Sequence, residues 1–317
     1  MQAGKKRARA WTWGVCAVLL SAAVGCGPAN REPAPAPPAP PGGGAGPGAP
    51  VLVVKIDNSP SARPPVGLAA ADQVYLEPVE GGMSRIAAVF SERQPPVIGP
   101  VRSARETDLA LLPQYGQPTL AFSGAAPELL PLIDRAHIRN ASADLLRQAY
   151  FRDSARKAPH NLFARTDLLP RGSGWPADTH PPFGPPPAGG TPAPHEQVRY
   201  PSTSVGFDWS PQQNHWTVTM DGKPYATQDA GPVTPSTVVV QDVRTSDSAF
   251  RDVAGSSSPL AHTVGQGRAT VLRDGKAFPA TWSRPSPDAA TSYTGQDGTP
   301  VAFDPGQVWT AFRPAGQ

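Results

Sequence analysis

Cysteine is nearly absent: the 317 residues contain two, Cys16 and Cys26. Cys16 lies inside an N-terminal leader, so once the leader is removed nothing remains to pair with Cys26, and a disulfide framework is excluded. A domain without staples must be held by its core, and the chain is long enough to build one. Also missing is any apolar run of membrane-spanning length. The longest uncharged stretch near the N-terminus, Trp11 to Val24, is about 14 residues, against the roughly 20 a spanning helix needs. Nor is there an excess of one charge. The whole chain carries 28 Lys+Arg against 25 Asp+Glu, but Lys5, Lys6, Arg7 and Arg9 belong to the leader, which leaves 24 against 25 and no basic patch of the kind nucleic acid requires. The six histidines show no paired spacing, so a zinc site is not expected. P-loop, GxSxG and HExxH patterns are absent as well, and no cofactor is implied.

What is present starts with that leader. Basic residues, an apolar stretch and small residues before Cys26 compose an export signal over residues 1–25. "AVGC" is similar to the lipobox of bacterial lipoproteins, with Ala23 where leucine is usual, and it makes Cys26 the expected lipidation site. The segment from Gly27 to Pro50 follows, with 21 of its 24 residues Pro, Ala or Gly. It cannot form a core, and as an extended spacer it suits a tether over residues 26–50. A second Pro/Gly-rich stretch, residues 172–194, divides the remainder. Trp175 and Phe183 within it suggest an ordered crossover that packs in places.

Residues 51–171 read as mixed α/β. "VLVVKI", "QVYLEPV" and "RIAAVFS" are strand candidates, Gly81-Gly82 marks a turn between the last two, and helices are expected from Ser103, Pro127 and Ser142. Residues 195–317 read as antiparallel and hairpin-rich, because three segments centre on Asp-Gly at 221, 274 and 297, the dipeptide favoured in type I′ turns. "VGQG", Val264 to Gly267, reads as a bend between strands, with His262 expected near whatever the first half binds.

Chemistry concentrates in "GPVRSARETD", Gly99 to Asp108. Ser103 to Glu106 has the spacing of a capping box, and Leu109 and Leu112 continue one face until Pro113, so a helix of about ten residues is expected from Ser103. That places Arg102 and Arg105 at a helix N-terminus, against the macrodipole. Two explanations stand: an acid such as Glu106, Asp108, Glu77 or Glu80 neutralises them, or their forks await an anionic ligand. "KAPHN" crowds Lys157, His160 and Asn161 into one loop, as sites often do.

"IDNSPSARPPVGLAAADQVYLEPVEGGMSRIAAVF", "GPVRSARETD" and "KAPHNLF", followed by "HTVGQGRATVLRDG" and "DPGQVWTAFRP", resemble the YerB-like lipoprotein family of bacteria in the same order from Val51 to near Pro314. The resemblance implies an envelope lipoprotein of α+β class, a layered β-β-α sandwich, with no established activity. Its motif positions here are Asp57, Asn58, Arg63 and Pro64; Glu80, Gly81, Gly82 and Arg85; Arg102, Ser103, Arg105 and Asp108; and Lys157, His160 and Asn161. The chain departs from the pattern at "FSGAAPE", where relatives often carry a histidine and Gly-Gly-Ser.

The expected function is therefore a binding or scaffolding module, anchored outside the cytoplasmic membrane through Cys26. Its site, made of Arg102, Ser103, Arg105, Arg85 and Lys157, would take an acidic group of cell-wall material or of an envelope protein. The alternative is an envelope-polymer hydrolase or transferase. It would use His160 as general acid or base, Glu80 as its carboxylate partner, and Asn161 and Asp108 nearby. Ser103 is a poor nucleophile in that scheme, because its hydroxyl is committed to the cap.

Overall fold

Val51 to Ile56 is β-branched at four of its six positions and has no turn former, so it has little choice but to be a strand buried on both sides. It becomes the heart of a large mixed sheet. The computed structural model describes residues 48–251 and 255–315, all within one unit, Pro40–Gln317. The leader, Cys26 and the tether up to residue 47 lie outside the described residues.

Fifteen of the strands among the described residues organise the structure. They are β1 (Leu52–Asp57), β2 (Gln73–Pro78), β3 (Ser84–Phe90), β4 (Thr119–Phe122), β5 (Arg139–Ser142), β6 (His195–Tyr200), β7 (Thr203–Ser210), β8 (His215–Met220), β9 (Thr237–Val243), β10 (Thr245–Arg251), β11 (Ser257–Ala261), β12 (Gly265–Arg273), β13 (Lys276–Arg284), β14 (Ser292–Gly295) and β15 (Val308–Pro314). The central sheet runs β14-β13-β12-β9-β15-β2-β3-β1-β4-β5, with the short Thr191–Pro192 pairing along β13. Both halves of the chain share it. The last strand, β15, enters between β9 and β2 and pairs parallel with each, Val240 opposite Ala311 and Leu76 opposite Ala311.

Period-two alternation sends side chains to two separate cores. Leu52, Val54, Ile56, Val74, Leu76, Val240 and Trp309 face a second, antiparallel sheet built from β6, β7 and β8, which contributes Val198, Phe207 and Trp216. Phe207 and Trp309 meet edge to face at 6.1 Å between ring centres. Burying a side chain of phenylalanine's size is worth about 1.5–3 kcal/mol, so this layer carries much of the stability. Val53, Tyr75, Ala87, Val89, Val239 and Val271 face the other way, towards Leu111, Tyr115, Ile133 and Trp175. Trp175 is buried and packs edge-on against Tyr115 at 5.0 Å, and Phe183 bridges to Phe303.

The α+β, β-β-α expectation is corrected. The protein is mostly β, 45% strand and 12% helical. Proline is the main physical reason. The helix expected from Ser103 shrinks to α1 (Thr107–Leu111), because Pro113 turns the following residues into a 3₁₀ turn, Leu112–Tyr115. The helix expected from Pro127 is only α2 (Leu130–Arg135), with Pro131 in its first turn. Ser142 ends β5 rather than starting a helix, since its register partner Phe122 draws it into the parallel ladder.

Turn chemistry is mixed. Asp221-Gly222 (φ 54° and 73°) and Asp274-Gly275 (φ 52° and 69°) both take the left-handed conformation a type I′ hairpin demands. At 297 only Gly298 does (φ 80°), and the Asp297 carboxylate instead accepts the Thr299 N–H in a wider turn. In "VGQG" Val264 forms the bend expected between strands, and Gly265 to Gly267 already open β12. A Cβ on Gly267 would lie 2.6 Å from Trp282 Nε1, and the glycine leaves room for that indole to donate to Asp242 O at 2.7 Å.

Candidate functional site

The same alternation that builds the cores puts Lys55 and Asp57 on one face of β1, with Glu77 of β2 and Arg85 of β3 beside them. Asp57 is opposite Arg85, and Arg85 is opposite Glu77. A charged row thus crosses three strands at the carboxyl end of β1. The segment around Val101 continues it, antiparallel to the end of β1, with Arg102 N donating to Lys55 O at 2.8 Å.

The row resolves into three groups. In the deepest, Lys55 Nζ lies 2.5 Å from Glu77 Oε2 and 2.7 Å from Asp108 Oδ1, all three side chains being buried. One cation between two carboxylates leaves a negative charge in the core. Burial and the neighbouring Asp108 charge push Glu77 up to about 7, against the pull of Lys55. Glu77 Oε1 has no partner among the described residues.

In the second group Glu80, on the β2–β3 turn, receives Arg105 through Nε at 2.9 Å and through a short contact from Nη2. It also receives Arg85 Nη2 at 3.1 Å and Ser258 Oγ of β11 at 2.6 Å. Burial alone would raise Glu80, but the Arg105 hydrogen bonds and the two guanidinium charges outweigh it and hold the carboxyl well below the usual range. Arg85 is brought down to about 10, first by its own burial and then by the like charge of Arg105.

Asp57 centres the third group, and here part of the site stays open. Its Oδ1 accepts the Ser59 N–H at 3.0 Å, and its Oδ2 meets His160 Nδ1 at 2.8 Å and Arg102 Nε at 3.3 Å. Burial opposes ionisation of Asp57, yet the Ser59 N–H, His160 and Arg102 together keep its carboxyl below the ordinary value. The His160 side chain is 22% exposed and that of Arg102 30%. His160 Nε2 and both Arg102 Nη atoms make no hydrogen bond among the described residues. With Nδ1 turned to Asp57, Nε2 is an acceptor while the imidazole is neutral and a donor to an anion when the ring is protonated.

The remaining sequence-derived residues fall around this frame. Ser103 does not cap a helix: its Oγ lies 3.3 Å from Ser123 Oγ and its carbonyl accepts Arg85 Nη1. The Asp108 carboxylate accepts the Arg105 N–H at 2.7 Å in place of the expected box, and Glu106 instead accepts Ser248 Oγ and Ala249 N–H from β10. Lys157 is exposed and makes no ion pair among the described residues, while its carbonyl accepts the His160 N–H. Asn161 is buried, with Oδ1 accepting Arg152 Nη1 at 2.7 Å and Nδ2 donating to the carbonyls of Asp153 and Arg156. His160 therefore pairs with Asp57 and not with Glu80. His262, just past β11, bonds Ser246 of β10 at 2.9 Å. Lys55 and Ser258 were missed. Lys55 reads as a lone charge in an apolar run, and its position among odd-numbered inward residues was the available signal. No group of three or more His, Cys, Asp or Glu among the described residues is placed to hold a metal.

A continuous sheet assembled from two half-chains is a fold that a solved structure shares, and the sequence of both halves matches one family. Profiles of one family match both halves: "Protein of unknown function (DUF3048) N-terminal domain" over residues 42–174 and "Protein of unknown function (DUF3048) C-terminal domain" over residues 197–310. The chain belongs to this family. Among its relatives is "Putative lipoprotein YerB" of Bacillus subtilis (strain 168), 31% identical over 126 residues, which cover 38% of this chain and 36% of that protein. The match thus spans about a third of that relative's length. The crystal structure of the YerB protein from Bacillus subtilis has the same fold, with a TM-score of 0.70 at 20% identity over 84% of this chain and 91% of that one.

Proposed function

We propose that the protein is a lipoprotein held outside the cytoplasmic membrane by a lipid on Cys26, and that it binds an acidic group of cell-wall material or of an envelope protein at the rim formed by His160 and Arg102. One observation carries the reading. Both side chains rest on a single oxygen of buried Asp57 and stay partly exposed, and Nε2 and the Nη fork make no hydrogen bond among the described residues. Arg85 and Arg105 take no part in ligand contact here, because Glu80 already occupies them. The leader and "AVGC", together with a relative named as a lipoprotein, support the location.

The test is co-sedimentation of the leaderless protein with purified cell-wall sacculi. Replacing Arg102 or His160 by Gln weakens sedimentation roughly tenfold or more, as expected when one partner of a desolvated charged contact is removed, while Lys157→Ala has little effect. Unchanged sedimentation of both folded variants would sink the proposal. In cells, Cys26→Ser moves the protein from the membrane fraction to the medium, and retention in the membrane would sink the anchoring claim. The Asp57–His160 pair also favours a second reading, in which Nε2 acts as general base in hydrolysis of the bound polymer. Soluble fragments released by the wild type and not by His160→Gln would select it.

A further inference from the structure

A second charged row crosses the same sheet on its opposite face, far along the chain from His160. Asp242 of β9 is the register partner of Arg313 on β15. The Gln241–Ala269 pairing sets Arg268 of β12 alongside Asp242, and Arg268 is in turn opposite Thr281 of β13. Arginine, aspartate, arginine and threonine therefore lie on four neighbouring strands.

The geometry resembles that at Asp57, but it is open. Asp242 is 8% exposed; its Oδ1 accepts Arg313 Nε at 2.6 Å and its Oδ2 lies 3.4 Å from Arg268 Nε. Each arginine is engaged through Nε, which leaves its planar Nη fork available, and no Nη atom of either makes a hydrogen bond among the described residues. Two guanidinium groups on one carboxylate leave a net positive charge at the site. Glu196, on the overlying sheet, also acts on Arg313 and offsets that charge, so the attraction for an anion comes from the local placement of the two forks rather than from a net surplus. Above the row opens a depression of about 370 Å³, whose lining adds Thr270, Thr281 and Gln296. No aromatic side chain lines it, so the chemistry on offer is hydrogen bonding and charge rather than stacking.

We propose that this depression is a second ligand site, for a small hydrophilic oxyanion: a carboxylate or phosphate carried on a hydroxylated body. The forks of Arg268 and Arg313 hold the anionic group in a bidentate manner, and Thr281, Thr270 and Gln296 take the hydroxyls. The buried Asp242 carboxylate acts as the backstop that fixes both forks. The site stands independently of the His160–Arg102 rim.

Isothermal titration of the full-length protein, purified in detergent, tests it with three probes: glucuronate, glucose 1-phosphate and neutral glucose. At least one acidic sugar binds saturably, with a Kd between about 10 µM and 1 mM, and glucose gives no saturable heat. Whichever acid binds tells carboxylate from phosphate. Arg268→Gln weakens that binding tenfold or more, and because the side chain is 87% exposed the variant keeps its fold, which far-ultraviolet circular dichroism verifies. Arg147→Gln, at an exposed arginine outside both sites, leaves the binding unchanged. The proposal is overturned if neither acid saturates by about 10 mM, if glucose binds equally well, or if Arg102→Gln and not Arg268→Gln abolishes the heat.

Discussion

Two of the arginine–carboxylate clusters on one sheet differ in exposure more than in chemistry. In the first half, Arg85 and Arg105 converge on Glu80 with side chains only 5% and 13% exposed, and Ser258 of the β10–β11 ribbon closes over the same carboxylate. In the second half, Arg313 and Arg268 converge on Asp242 but are 33% and 87% exposed. The strand period places the rows on opposite faces, and only the first lies under α1 and the ribbon. A guanidinium on an acid is a structural counter-ion where something covers it and a ligand-ready fork where nothing does. Asp57 stands between these cases, its partners Arg102 and His160 each less than a third exposed.

The largest effect expected from breaking this comparison is at the deepest ion. Lys55→Met strands Glu77 and Asp108 without a cation in the core and should cost about 3–5 kcal/mol, read by urea denaturation. A loss under 1 kcal/mol would mean that the two acids are satisfied in some other way. Glu80→Gln is next. It leaves Arg85 and Arg105 without their shared charge, at a cost of about 2–3 kcal/mol given their slight exposure, and an unchanged urea midpoint would contradict the counter-ion role.

pH sharpens the contrast in the same region. Asp72, whose carboxylate accepts the Ser91 N–H at 2.6 Å, is pushed by burial from 3.8 up to about 6, and Glu77 from 4.5 up to about 7. Folded values above the unfolded ones mean that the native state holds these protons more tightly. Their contribution is complete below about pH 4 and is lost as pH rises through 6 and 7. Glu80 and Asp57, held low, act in the opposite sense: their contribution is complete above about pH 5 and is lost as pH falls below their ordinary values of 4.5 and 3.8. Stability measured across pH 5 to 8 should therefore decline, and Asp72→Asn should flatten the part of the decline below about pH 6. A stability that rises over that window would refute the assignment. The smallest effect belongs to the open row, where Arg268→Gln should shift stability by less than about 0.5 kcal/mol, so that any change in ligand binding stands apart from folding.

Much of the first-half sheet was legible as sequence. "VLVVKI", "QVYLEPV" and "RIAAVFS" each became strands, and the Gly81-Gly82 turn joins the last two, because β-branched runs bounded by turn formers leave few alternatives. The helices were overread. Ser103 and Glu106 have the capping-box spacing, but Ser103 is drawn to Ser123 and Glu106 to Ser248, two partners that local spacing cannot reveal. Pairings at the site followed the same pattern. His160 and the arginines were visible as a concentration of polar function, whereas their acids, Asp57 and Glu80, lie 103 and 25 residues from the groups they hold.

By itself, then, the sequence determined the Pro/Gly-rich segments, the inward and outward alternation of each strand and the left-handed turns at Asp221 and Asp274, all of which rest on interactions within a few residues. Tertiary structure alone decided that β15 joins the two halves into one sheet, that Arg85 and Arg105 are closed off while Arg268 is open, and that His160 rests on Asp57. Those outcomes depend on which face of a strand another element covers, and that is set by long-range packing rather than by the residues adjoining it in the chain.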